Sequence, residues 1–81
     1  MSALEYFIKN VAERKGLRRM EAMRRLRWYI NKCTPEEFRL AVNRITNYQY
    51  LKILVEAGLT RDKLEYVTRR ADQLARRRER R

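Results

Sequence analysis

Arg24-Arg25, Trp28 and Lys32 in one segment, and Arg69-Arg70 followed by Arg76-Arg77-Arg78-Glu79-Arg80-Arg81 in another, are the residues best equipped for chemistry in this chain. The chemistry is recognition rather than bond making. A guanidinium presents a planar fork of donors that fits phosphate oxygens, and 16 of the 21 Lys and Arg residues are Arg. An aromatic ring set among guanidiniums can stack on an unpaired base or insert beside a sugar. Trp28 and Tyr66 are the candidates. Each has the alternative of packing beneath a neighbouring helix, the usual fate of a large aromatic.

Other chemistries find little support. The chain has no histidine, so the commonest general base and metal ligand are missing. A single cysteine, Cys33, makes neither an internal disulfide nor a zinc cluster. It reads as a small semi-buried hydrophobe, compatible with a reducing cytosol. Glu36-Glu37, and Asp62 with Glu65, fall in the first turns of expected helices, where carboxylates favour the positive end of the dipole. There is no nucleophile–base pair and no Gly-rich phosphate loop. The expectation is a non-enzyme with no cofactor, no metal and no small-molecule substrate.

The partner is suggested by charge. The 81 residues carry a net charge of +11, with 21 Lys and Arg against 10 Asp and Glu. Such a surplus favours a polyanion, normally nucleic acid or an anionic membrane. Residues 17–32 hold +5, residues 59–81 hold +5, and residues 33–58 are neutral. The basicity therefore lies on two segments flanking a neutral centre. No secretion signal opens the sequence, and no apolar run approaches the ~20 residues that span a bilayer. A cytoplasmic location, associated with a nucleoid or nucleoprotein, is expected.

Five helices and no strand must position these groups. Only two Gly and one Pro leave little material for the turns of a β fold, while 44% hydrophobic residues can build a small core. The fold class is all-α, a compact bundle of about five short helices at 3–15, 17–32, 35–45, 47–57 and 61–80. Residues 1–75 form one domain, and 76–81 an Arg-rich tail that extends the last helix. Ser2-Ala3-Leu4-Glu5 spells a capping box, and Thr34-Pro35-Glu36-Glu37 is the clearest helix start in the chain. The fourth helix is apolar almost all round and belongs in the middle. On the second, Ala22, Met23, Leu26, Tyr29 and Ile30 share one face, with Trp28 on the far side near Arg24, Arg25 and Lys32. On the fifth, Leu64, Val67, Ala71, Leu74 and Ala75 form the apolar stripe. Opposite them lie Tyr66, Arg69, Arg70, Gln73, Arg76, Arg77 and Arg80.

Residues 53–67 resemble the helix-turn-helix of DNA-binding proteins. Gly58 stands at the turn, Leu59 and Thr60 follow as the aliphatic and capping residues, and Leu64 and Val67 supply the apolar docking positions. Leu54 departs from the small residue usual there. The resemblance implies a helix-turn-helix-like pair at 47–75, with the last helix as the recognition helix. Arg61, Asp62, Lys63, Tyr66 and Arg70 would then face base edges and Arg69 a phosphate. A second run, Phe38 to Thr46 with Tyr50, Leu51 and Leu54, is similar to short HEAT-type helical repeats, which are scaffolds for protein contacts. DNA is the expected partner, with RNA as the alternative. The competing expectation is a structural subunit of a nucleoprotein particle, a ribosome-associated or helical-repeat adaptor, or a homo-oligomer.

Overall fold

In a computed structural model of the chain, which describes residues 2–79 and side chains up to residue 77, the Ser2 hydroxyl accepts from the Glu5 amide at 3.2 Å and opens the first helix. The Glu5 carboxylate answers the hydroxyl rather than the Ser2 amide, so only half of the expected capping box forms. The helix is α1 (Ala3–Glu13), and a two-residue link leads to α2 (Gly16–Lys32). Gly16 has φ +59°, a left-handed conformation that glycine adopts without a Cβ clash. Thr34 starts α3 (Pro35–Val42) with a complete capping box: its hydroxyl accepts from the Glu37 amide, and Glu37 accepts from the Thr34 amide, both at 3.1 Å. Asn47 accepts from the Gln49 amide at 2.9 Å and begins α4 (Tyr48–Ala57). Gly58, at φ +91°, turns the chain into α5 (Arg61–Glu79).

The five helices form an all-α bundle, with no strand among the described residues. The fourth helix packs on α1, α2 and α5 and buries Leu51, Ile53, Leu54 and Ala57, while Tyr48, Lys52, Val55 and Glu56 leave one side of it exposed. Leu51 and Leu54 are sealed inside with Leu4 and Ile8 of α1 and Leu26 and Ile30 of α2. The third helix lies along α5 and contributes Phe38 and Val42.

One helix is rotated from its expected setting. On α5 the buried side is Lys63, Val67 and Arg70, with Tyr66, Ala71 and Leu74 half-buried beside them. Leu64 stands 41% exposed and Ala75 is exposed. The inward face has turned by about 60° at 100° per residue. The cause is α3, which lies along this side, together with the carbonyl ends of α2 and α3, which attract two cations inward.

Candidate nucleic-acid interface

The carboxyl end of a helix leaves carbonyls without amide partners and carries partial negative charge. Three cations settle on such ends here. Arg27 Nε donates to the Ala57 carbonyl at 2.8 Å and closes α4. Lys63 Nζ donates to the Ile30 carbonyl at 2.7 Å and the Cys33 carbonyl at 3.0 Å, closing α2. Arg70 Nε donates to the Ile45 carbonyl at 2.8 Å, just beyond α3, and its guanidinium also donates to Gln73 Oε1 at 3.0 Å. Burial holds the Arg70 guanidinium below the usual arginine range, helped by the charge of Arg77.

These contacts correct the expected site. Lys63 and Arg70 are each only 7% exposed, so neither presents its charge to a partner as the recognition-helix reading requires. Tyr66 packs against the core, half-buried. Three of the residues expected to face base edges thus turn inward, because α3 covers that side of α5. Sequence spacing carried a signal for this: Lys63, Val67, Arg70 and Leu74 recur at intervals of four, three and four on one helical face.

The remaining candidates on α5 do face outward. Arg61, Arg69, Gln73, Arg76 and Arg77 are exposed, Arg69 making an ion pair with Glu65 one turn back and Gln73 holding Arg70. Arg80 and the end of the tail lie outside the described residues.

The face of α2 resolves the question posed by Trp28. Trp28 is 56% exposed and is not packed beneath a helix. Lys32 Nζ lies 4.3 Å from the ring centroid, a cation–π contact one turn along. Arg24 and Arg25 are exposed, and neither makes an ion pair among the described residues. Nearby, Phe7 of α1 stacks on Tyr29 at 5.0 Å between centroids, and Tyr6 meets Phe7 edge-on at 5.7 Å. Trp28 and Phe7 together line two shallow depressions. One, of about 390 Å³, is completed by Arg24 and Arg25; the other, of about 380 Å³, by Tyr29, Lys32, Cys33 and Glu37. The α1 aromatics escaped sequence reasoning because Phe7 looks like an ordinary member of the α1 stripe until it is seen beside Trp28.

Burial pushes the Cys33 thiol up, which disfavours the nucleophilic thiolate. Among the described residues no cluster of His, Cys, Asp or Glu could hold a metal ion. No helix is long and apolar enough there to cross a membrane. Compared with family models, curated proteins and solved structures, the chain matches none.

Proposed function

We propose that this protein is a small non-enzymatic nucleic-acid-binding protein that holds phosphates on the outer faces of α2 and α5, with DNA the favoured partner. One observation carries the reading. Several of the cations separate into a structural set, Arg27, Lys63 and Arg70, turned onto backbone carbonyls, and an outward set, Arg24, Arg25, Arg76 and Arg77, available to a polyanion, with Arg69 also outward but paired to Glu65. Arg19 and Arg39 belong to neither set, since each is held by a carboxylate, Glu56 and Glu36 respectively. The inward turn of Lys63, Tyr66 and Arg70 favours backbone contact over base reading by α5, so affinity should depend more on charge than on sequence. The test is binding to DNA and RNA of unrelated sequence at low ionic strength, repeated as salt is raised.

A second reading, a structural or adaptor subunit that associates through protein contacts, draws support from α4 and α5. Tyr48, Val55 and Leu64 are exposed there, and Tyr48, Leu51, Val55, Val67 and Ala71 line a shallow groove between the two helices. Light scattering across a concentration series separates the readings: a stable assembly without nucleic acid favours the second.

A further inference from the structure

We propose that the α1–α2 face is a stacking site for unpaired bases, so that the protein holds single-stranded nucleic acid with Trp28 as its platform. The inference rests on the nucleic-acid reading and goes beyond it by naming the ligand's state and the residue that senses it. Duplex DNA buries its base faces in the stack, and a phosphate-holding protein needs no exposed indole to bind it. Here a chain with one tryptophan leaves that tryptophan 56% exposed, although burying it would favour folding.

The surroundings have the chemistry of a strand rather than of a protein partner. The depression lined by Phe7, Arg24, Arg25 and Trp28 contains two aromatic walls and two guanidiniums, and no carboxylate. A base against the indole would lie near the Phe7 ring. Arg24 and Arg25, adjacent in sequence, offer forks of donors to the phosphates on either side of it. Lys32 lies over the same indole and lines the neighbouring depression, where a following phosphate would meet it. Glu37, at the rim of that second depression, is the one acidic group there; its carboxylate is engaged by the Thr34 amide. Alternating rings and cations are what single-strand binding uses, because every base has a π-face and every linkage a charge.

Trp28 supplies its own readout, since a base stacked on an indole quenches its fluorescence. The experiment titrates the full chain with oligothymidylate, oligouridylate and a duplex of equal length, following tryptophan emission and the anisotropy of end-labelled strands together. The single strands should quench emission as they bind. Trp28→Ala should lower single-strand affinity roughly 5- to 150-fold, the range for losing one stacked base, while duplex affinity stays within about twofold. Trp28→Phe should recover part of the loss. Arg24→Gln with Arg25→Gln should flatten the single-strand salt slope by about 1.4. Because the indole is largely outside the core, all variants should keep the wild-type circular dichroism and melting point, which checks that lost binding is not lost folding. Strands that bind with unchanged emission and unchanged affinity in Trp28→Ala would overturn the stacking site and leave the nucleic-acid reading standing. Absence of binding to any of the three probes would overturn both. If Trp28→Ala instead dissolves a protein oligomer and spares strand binding, the face is a protein contact and the proposal fails.

Discussion

Arg69 and Arg70 are neighbours in sequence with opposite roles. Arg69 is exposed and paired with Glu65; Arg70 is buried and donates to the Ile45 carbonyl. Truncating Arg70 leaves a buried acceptor without its donor, so Arg70→Ala should cost about 1–3 kcal/mol in urea unfolding. Lys63→Ala should cost a similar amount, because the Cys33 carbonyl loses the Lys63 donor and the Ile30 carbonyl keeps only the Cys33 amide. Arg69→Ala, at the surface, should stay within about 0.5 kcal/mol of the parent. Binding should show the reverse ranking once each variant is measured where it is fully folded: Arg69→Glu weakens it, and Arg70→Ala leaves it nearly unchanged. Cys33 gives a second residue-level check. With its thiol pushed up by burial, it should react with iodoacetamide more slowly than the same chain in denaturant. Equal rates would show the thiol to be free.

At the scale of helices, the starts were more legible than the faces. Thr34-Pro35-Glu36-Glu37 spells its capping box in adjacent residues, and the structure forms it in full. Thr34→Ala should therefore cost about 1 kcal/mol in thermal or urea unfolding. The Glu37 carboxyl is held below its ordinary value, first by the Thr34 amide, and that of Glu56 is lowered first by the hydrogen bond from Arg19. Each is more acidic folded than unfolded, so its contribution is present above pH about 4.3 and is lost as pH falls through the lowered folded value. Both groups are exposed, which keeps the effect modest. Melting temperature should decline as the solution is acidified below that point, and less steeply in Thr34→Ala. The face of α5 was less legible because hydropathy places Lys63 and Arg70 outside. What brings them in is the pair of carbonyl ends contributed by α2 and the chain after α3, groups distant in sequence. The same limit hid the aromatic cluster: Phe7 and Trp28 belong to different helices, and only the α1–α2 packing brings them to shared depressions.

For the whole molecule, a charge of +11 on a body with a radius of gyration of 12.5 Å acts on folding and binding with opposite signs. Self-repulsion opposes the compact state, and salt screens it over about 10 Å at 0.1 M, so melting temperature should rise modestly with added sodium chloride. Affinity for nucleic acid should fall over the same range. The neutral segment at residues 33–58 supplies all of α3 and α4, which join the two basic helices, so charge reversal there forms an internal control. The most direct test compares Arg69→Glu/Arg76→Glu/Arg77→Glu with Arg39→Glu/Arg44→Glu by anisotropy on duplex DNA across a salt series. The parent should bind with log K falling linearly in log salt, by about 0.9 for each phosphate contact. The α5 variant should lose most of that affinity and flatten the slope, while the Arg39→Glu/Arg44→Glu variant changes far less. No binding by the parent at low salt, or equal losses in the two variants, would contradict a nucleic-acid surface on the outer faces of this bundle.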